Sequence, residues 1–306
     1  MKVYDTPDDG LRDAMRLAEG MTHKWATVGF DLGGGKSVLA VPRPMDGKER
    51  EGLFRRFGRL INTFRGAYSC GPDLGTTPED MAVIGRETEF VHGVGREGRA
   101  PIDPGPFTAM GVFCGMRAAI RQVFGSDAFG ERIVLIQGAG DVGRPLGLLV
   151  AEAGATVLIS DTDPAKADRL AGEVGGTVVA PEVVCETQCD VYAPCAIGAT
   201  LNARSIPTLR CRIIAGSANN QLEKREDARR LHERGILYAP DYVVNAGGAT
   251  ALPLLGGGEH SHDDVMERVR GFDGILTEIF VESAERNESP LSVAELRVER
   301  ELAKRQ

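Results

Sequence analysis

The sequence lacks the features that mark nucleic-acid-binding, membrane and secreted proteins. Its 306 residues carry 44 acidic and 36 basic side chains, a formal charge of −8, and no basic block interrupts the mixed pattern. Nucleic acids and anionic membranes are therefore poor partners. No apolar run approaches the ~20 residues of a membrane span, and no apolar segment follows Met1. We expect a cytoplasmic protein that acts on small molecules.

Cysteine is also scarce, and its spacing argues against a metal site. The six cysteines form no C-x-x-C pair and lie mostly in apolar or strand-like stretches. We therefore interpret them as buried thiols in a reducing compartment, and we expect no metal cofactor.

A third missing feature is a complete phosphate-binding loop. Such a loop needs a glycine five positions before the glycine that precedes its lysine, and Phe30 occupies that position before the turn Gly33-Gly34-Gly35-Lys36. The three glycines still let a ligand approach the backbone, and they place Lys36 in a cramped, partly dry environment where desolvation disfavours the charged form. Lys36 is therefore a candidate for proton chemistry rather than for phosphate binding.

The chain is long enough for two domains. A capped helix is predicted from Thr6, and apolar residues from Leu11 to Trp25 recur at helical spacing on a face that we expect to be core. Short strands at 28–32 and 38–41, a helix at 47–64 and a helix from Thr77 follow. A Gly- and Pro-rich stretch at 90–106 suggests a linker. We predict a smaller α/β catalytic domain at 1–92, joined by a C-terminal helix at 286–306.

Strands alternate with helices in the remaining domain, 93–285. The predicted strands are Ile133–Gln137, Thr156–Ser160, 177–179, 190–192, 213–215 and 236–238. The predicted helices are 142–152, 165–174, 223–234 and a charged stretch from about Asp263. Short apolar strands that alternate with helices indicate a parallel sheet covered on both faces, that is, a doubly wound Rossmann domain.

The strongest chemical motif is a glycine-rich turn between a predicted strand and a predicted helix. It reads Gly138-Ala139-Gly140-Asp141-Val142-Gly143, the context in which G-x-G-x-x-G binds the pyrophosphate of a dinucleotide. The next strand ends at Asp161, where a carboxylate accepts hydrogen bonds from a ribose 2′-hydroxyl and repels a 2′-phosphate. The sequence therefore predicts NAD as the cofactor, against the alternative of a tight turn with a surface aspartate.

Four further residues are candidates on weaker grounds. Lys24 ends the first predicted helix, and two ammonium groups in one cleft can divide the work, one binding a carboxylate and Lys36 moving a proton. A surface lysine is the alternative for each. Asp73 lies in a Gly- and Pro-rich turn, where helix capping is the alternative role. Asn219 and Asn245 follow strands at the carboxyl edge of the sheet, where ligands bind.

The motifs together resemble one enzyme family. They are Met21-Thr22-His23-Lys24, Gly33-Gly34-Gly35-Lys36, Asp73-Leu74-Gly75-Thr76-Thr77, Ala193-Pro194-Cys195-Ala196, 215–221, Tyr238-Ala239-Pro240-Asp241-Tyr242 and Asn245-Ala246-Gly247-Gly248. The sequence is similar to the Glu/Leu/Phe/Val dehydrogenase family, above all to its leucine, valine and phenylalanine branch, from about Tyr4 to beyond Gly248. Chains of that family usually begin earlier, so we expect this sequence to lack their N-terminal segment.

The resemblance implies oxidative deamination of an L-amino acid to a 2-oxo acid and ammonia by a homo-oligomer. By position, Lys24 resembles the lysine that binds the substrate carboxylate, Lys36 the catalytic lysine and Asp73 its proton-handling partner. Asn219 and Asn245 then lie near substrate and cofactor. The remaining expected cofactor contacts are Thr108, Gly138, Gly140, Asp141, Val142, Gly143, Asp161 and Ala196.

Two positions bear on the substrate side chain. Gly71 and Ala249 stand where the branched-chain enzymes of the family carry larger residues, so the pocket is expected to be larger and the substrate a bulky apolar or aromatic amino acid. The alternative function is a truncated, catalytically impaired or regulatory protein that binds NAD or an amino acid without turnover.

Overall fold

The computed structural model describes residues 1–94 and 101–305, so part of the predicted linker at 90–106 lies outside the described residues. The chain divides into two compact units. The first unit contains Met1–Trp25, Phe30–Asp103 and Ala251–Ser261. The second unit contains Ala26–Gly29, Pro104–Thr250 and His262–Gln306.

The described residues form helices in both units and one extended sheet in the second. The helices are α1 Pro7–Thr27, α2 Gly47–Thr63, α3 Pro78–Gly85, α4 Gly105–Phe124, α5 Gly143–Glu152, α6 Pro164–Val174, α7 Glu226–Glu233, α8 Asp241–Val244, α9 Ala246–Gly257, α10 His262–Arg270, α11 Phe272–Arg286 and α12 Pro290–Ala303. The strands are β1 Ile133–Gln137, β2 Thr156–Ser160, β3 Thr177–Val178, β4 Val191–Pro194, β5 Ile213–Ile214 and β6 Leu237–Tyr238. None of these helices is long and apolar enough to cross a membrane.

The sheet of the second unit confirms the predicted α/β class. Its six strands are parallel and lie in the order β3-β2-β1-β4-β5-β6, which is the doubly wound order with a switch point between β1 and β4. Ile136 pairs with Ile159 on β2 and with Ala193 on β4, and all three side chains are buried. Since helices cover both faces, the central strands are mostly apolar, and their polar residues, Gln137 of β1 and Thr156 and Ser160 of β2, stand at strand ends. This topology brings the carboxyl ends of the strands to one edge.

The first unit has a smaller core between α2 and α3. Phe54 and Ile61 of α2 pack with Met81 and Ile84 of α3, and all four are almost fully buried. Thr77 is the N-cap of α3 and forms a capping box with Asp80, as the Thr-Pro-Glu-Asp sequence predicts. The helices predicted at 47–64 and from Thr77 are confirmed.

Two expectations for the first unit were wrong. The predicted strands at 28–32 and 38–41 are absent from the described chain apart from a bridge between Lys2 and Ala40, because a strand needs a neighbour along its length to pair its backbone groups. In α1, Leu11 and Met15 are 61% and 67% exposed, so the predicted core face is buried only at the C-terminal end of the helix, near Trp25. Apolar spacing shows which face can be buried, not how far a neighbour covers it.

The C-terminal helix also departs from expectation. α12 packs against α11 and β6 and belongs to the second unit, so the prediction that 286–306 returns to the catalytic domain was wrong. Val293 and Val298 of α12 are buried in the core of the second unit. Residues Ala251–Ser261 belong instead to the first unit.

Candidate active site

The glycine turn Gly33–Lys36 owes its composition to close packing. A Cβ added at Gly34 would collide with Thr22 and with the Ala18 carbonyl of α1, and one at Gly35 would lie 2.8 Å from the Tyr68 ring. None of the glycines at 33–35 has a positive φ, so space rather than backbone conformation requires Gly34 and Gly35, whereas Gly33 has open space around it. The turn is therefore pressed onto α1, which fixes the backbone that carries Lys36.

Lys36 and Asp73 form an ion pair, although they lie 37 residues apart in the sequence. The second carboxylate oxygen of Asp73 accepts a hydrogen bond of 2.6 Å from the Leu74 N–H. Burial raises the pKa of Asp73, but the charge and hydrogen bond of Lys36 outweigh it, and with the Leu74 N–H and the Lys24 charge they hold that pKa below its ordinary value. Asp73 is therefore ionised at neutral pH and paired with the candidate catalytic lysine.

The acidic turn Asp73–Thr77 is itself held in place. The Arg50 guanidinium donates to the Gly75 carbonyl at 2.9 Å and to the Asp80 carboxylate at 2.8 Å, and the Asp73 N–H donates to Thr76 Oγ1 at 2.9 Å. Since Thr77 caps α3, the alternative role of Asp73 as a helix cap does not apply. The carboxylate of Asp73 is left to pair with Lys36.

Lys24 lies in the last turn of α1 and is 8% exposed. Its charge contributes to the lowered pKa of Asp73, so the two lysines act on the same carboxylate. The first unit thus brings together the three candidates Lys24, Lys36 and Asp73.

The neighbourhood of Gly71 includes two residues that sequence reasoning missed. A Cβ at Gly71 would lie 3.5 Å from Leu252 Cδ1 and 3.6 Å from His92 Cβ, which are ordinary van der Waals contacts. His92 Nε2 in turn lies 2.8 Å from Ser69 Oγ. The only sequence signal for His92 was its place in the Gly- and Pro-rich stretch after Phe90. Leu252 gave none, because the segment after Gly248 matched no motif.

The nucleotide turn, Gly138–Gly143, lies at the carboxyl end of β1. Gly138 has φ +103°, and a Cβ there would lie 3.0 Å from Ala196, while a Cβ at Gly143 would collide with the Gly138 carbonyl. Two of the three glycines are therefore required by the conformation or the packing of the turn, and the one at 140 has open space around it. α5 begins at Gly143 without a side-chain cap, as a phosphate-binding helix end does.

Asp161 is held beside this turn by two backbone groups. Its Oδ2 accepts from the Ala139 N–H at 2.7 Å, and its Oδ1 accepts from the Asp163 N–H at 2.8 Å. Each oxygen keeps a lone pair for a further donor. The carboxylate is thus fixed at the carboxyl end of β2, where a ribose of a bound dinucleotide would present its hydroxyl groups.

Asn219 and Asn245 are joined directly. Asn245 Nδ2 donates to Asn219 Oδ1 at 2.8 Å and to the Ser217 carbonyl at 3.1 Å. Asn245 is 5% exposed, and its Oδ1 has no hydrogen-bond partner among the described residues. A buried acceptor without a partner costs free energy, so a donor from a ligand would satisfy it.

Thr108 contacts the Asn-Ala-Gly-Gly segment rather than standing free. Its hydroxyl donates to the Pro104 carbonyl at 3.0 Å and accepts from the Gly248 N–H at 3.1 Å. A Cβ at Gly248 would lie 2.6 Å from that hydroxyl, so the glycine allows α9 to approach α4. Ala249 follows on α9 and is half-buried. The described residues contain no cluster of three His, Cys, Asp or Glu side chains that could hold a metal ion.

Comparison with known proteins supports the family. Residues 4–90 match the Glu/Leu/Phe/Val dehydrogenase dimerisation domain, and residues 165–254 match Glutamate/Leucine/Phenylalanine/Valine dehydrogenase. A leucine dehydrogenase of Thermoactinomyces intermedius is 39% identical over 96% of this chain and 79% of its own. The L-tryptophan dehydrogenase of Nostoc punctiforme is 39% identical over 80% and 68%. The crystal structure of that tryptophan enzyme superimposes with a TM-score of 0.83 at 34% identity, over 99% of this chain and 86% of its own.

The parallel sheet of the second unit has the strand order of a Rossmann domain, and the relatives that match are dehydrogenases. The chain belongs to the Glu/Leu/Phe/Val dehydrogenase family, as its motifs predicted. The prediction of an amino-acid dehydrogenase for apolar substrates is confirmed by relatives that are leucine and tryptophan dehydrogenases.

Proposed function

We propose that the first unit binds an apolar L-amino acid and the second binds NAD, and that the chain deaminates the amino acid oxidatively. The observation that carries this proposal is the ion pair of Lys36 and Asp73 beside the buried Lys24. Two ammonium groups and a carboxylate suit a substrate that carries a negative charge and exchanges a proton. An amino acid has both properties, because it carries an α-carboxylate and an ammonium group. The nucleotide turn and Asp161 fit a dinucleotide.

The proposed roles follow from charge and position. The Lys24 ammonium binds the α-carboxylate, and Asp73 accepts a proton from the substrate amino group, which makes its nitrogen lone pair available. When bound, NAD would supply the acceptor for the hydride of the substrate α-carbon, and loss of that hydride turns the neutral amine into an iminium. Lys36, after releasing its own ammonium proton to solvent, then takes a proton from the water that attacks the iminium carbon, returns it to the nitrogen so that ammonia leaves, and takes the hydroxyl proton as the 2-oxo acid forms.

We assign NAD rather than NADP as the preferred cofactor because of Asp161. Its oxygens are already fixed by the Ala139 and Asp163 N–H groups, so its negative charge cannot turn away from a 2′-phosphate. The remaining lone pairs of the two Asp161 oxygens accept hydrogen bonds from the two ribose hydroxyl groups of NAD.

The substrate side chain is proposed to be large. Gly71 and Ala249 are proposed to contact it, and the absence of a side chain at Gly71 leaves room beside Leu252 and His92. Each unfilled methylene position costs a small ligand about 0.8 kcal/mol, so phenylalanine or tryptophan is preferred over valine. The match of residues 4–90 to a dimerisation domain supports a homo-oligomer.

An initial-rate assay tests this function. Purified protein is incubated with NAD or NADP and with L-valine, L-leucine, L-phenylalanine or L-tryptophan, and the reduced cofactor is measured by its absorbance. We expect reduction that depends on the amino acid and is faster with NAD. A protein that binds NAD but reduces it with none of these amino acids is a binding or regulatory protein, which is the alternative function.

A further inference from the structure

The nucleotide turn offers backbone donors to an anion. Among the described residues, the N–H groups of Asp141, Val142 and Gly143 have no hydrogen-bond acceptor, whereas the next one, of Arg144, donates to the Gly140 carbonyl at 3.0 Å. Three neighbouring N–H groups at the positive end of a helix attract a phosphate. The turn is therefore suited to the diphosphate of a dinucleotide.

One side chain in this turn opposes that chemistry. Asp141 is exposed, and its carboxylate has no hydrogen bond or ion pair with another described residue. The nearest cation in the sequence, Arg144, is held by Glu173 through bonds of 2.8 and 3.0 Å. The negative charge of Asp141 is thus not neutralised by a neighbour, and it lies on the same turn as the open donors.

We propose that Asp141 weakens the binding of the dinucleotide, because its carboxylate places a negative charge at the diphosphate site. This inference rests on the proposed function, because it takes the nucleotide turn to be the diphosphate site. In the free protein, the carboxylate lies at the favourable end of the α5 dipole and stabilises the helix. When a diphosphate binds, the same carboxylate repels it. Asp141 therefore favours the unbound protein and faster release of the cofactor.

Electrostatics sets the size and the salt dependence of the effect. Charges near a helix end contribute ~0.3–2 kcal/mol, so replacement of Asp141 by asparagine, which keeps the shape, should tighten binding roughly 2- to 30-fold. Because Asp141 is exposed, salt screens its repulsion within a Debye length of about 10 Å at 0.1 M. The gain from the substitution should therefore shrink as the salt concentration rises.

Calorimetric titration of wild-type protein and Asp141→Asn with ADP-ribose and with adenosine tests the proposal. ADP-ribose carries the diphosphate of NAD, and adenosine carries none. We expect Asp141→Asn to bind ADP-ribose more tightly at low salt and to bind adenosine as the wild type does. Asp168→Asn is the matched control, because it removes the same charge from an exposed position on α6. That control should bind ADP-ribose as the wild type does.

The outcomes separate this inference from the proposed function. Equal ADP-ribose affinity in the wild type and Asp141→Asn overturns the role of Asp141 and leaves the dehydrogenase intact. An equal gain for adenosine shows that the substitution reshapes the site, and also overturns it. If neither protein binds ADP-ribose, the nucleotide site itself is wrong, and the proposed function fails with it. Thermal unfolding of both variants checks that they are folded.

Discussion

The two units differ in how they hold their candidate residues. In the second unit a buried six-stranded sheet sets the positions of the turns, and the contacts expected for the cofactor are largely backbone groups and one fixed carboxylate. In the first unit the core is small, and Lys36 and Asp73 lie on loops that glycine packing and the Arg50 contacts hold in place. Under the proposed function, cofactor recognition depends on the fold of the second unit, and proton chemistry depends on local side-chain contacts in the first.

The largest expected effect is on turnover, from a change in the first unit. Lys36→Ala should lower kcat by ~10²–10⁴-fold, because it removes a general acid–base group. Steady-state kinetics with saturating NAD and amino acid measure it. Lys48→Ala, which removes an exposed lysine of α2, is the control and should keep wild-type kcat. Near-wild-type turnover of Lys36→Ala would remove the proposed mechanism.

The next largest effect is on stability, and it compares a buried position of the second unit with an exposed position of the first. Ile136→Ala in the middle of β1 should lower the free energy of unfolding by ~2–5 kcal/mol, because the side chain is fully buried and a cavity remains. Leu11→Ala on the exposed side of α1 should change it by less than ~0.5 kcal/mol. Urea unfolding of both variants gives the comparison. A large loss for Leu11→Ala would show that a partner covers this face in solution.

The preference for NAD over NADP should change with a single substitution in the second unit. Asp161→Ser removes a charged acceptor, so the KM for NAD should rise by ~10- to 100-fold and the preference over NADP should narrow. Kinetics with both cofactors at saturating amino acid measure the ratio. Efficient use of NADP by the wild-type enzyme would contradict the assignment of Asp161.

Substrate preference should change by a smaller amount. Gly71→Ala adds one methyl group, which the neighbouring Leu252 and His92 accommodate at ordinary contact distances. Discrimination by one carbon is worth ~1–3 kcal/mol, so kcat/KM should move toward valine and leucine relative to phenylalanine and tryptophan, and Ala249→Val should add to this. A wild-type enzyme that clearly prefers valine would contradict the enlarged pocket.

The smallest effect concerns pH and a cluster in the second unit. Burial raises the pKa of Asp273, but hydrogen bonds from Arg121 and Arg117 outweigh it and hold that pKa below its ordinary value. A lowered pKa stabilises the folded protein above the ordinary carboxyl pKa of about 3.9, and this stabilisation is lost as the pH falls through the lowered value. Asp273→Asn should therefore cost ~1 kcal/mol at pH 7, reduced by the partial exposure of both arginines.

Thermal unfolding across pH checks this last expectation. The difference in Tm between wild type and Asp273→Asn should stay constant near neutral pH and narrow below about pH 4. A difference that widens on acidification would mean that the arginines do not stabilise the charged form.

The second unit was the easier one to predict from sequence. Strands β1 and β2 were predicted with their observed bounds, because buried parallel strands are short continuous apolar runs. Helix α4 was not predicted, since it contains Gly111 and Gly115. A Cβ at these positions would lie 2.7 Å from the Val244 carbonyl and 2.6 Å from Val244 Cγ1, so a tertiary contact rather than helix propensity decides them.

In the first unit the sequence identified candidate residues but not their arrangement. Lys24, Lys36 and Asp73 were identified from motifs, but nothing local in the sequence pairs Lys36 with Asp73 or buries Lys24. His92 and Leu252 come near Gly71 only through the fold. The glycines of the glycine turn suggested close approach of a ligand to the backbone, whereas the contacts of Gly34 with α1 and of Gly35 with Tyr68 depend on packing that the sequence does not show.

The central claim is that the first unit supplies proton chemistry and the second supplies cofactor binding. Calorimetric titration of NAD into Lys36→Ala and Asp161→Ser tests it most directly, because binding is measured without turnover. The account predicts a wild-type Kd for Lys36→Ala and a Kd raised by ~10- to 100-fold for Asp161→Ser. A Kd raised equally in both variants would contradict this division.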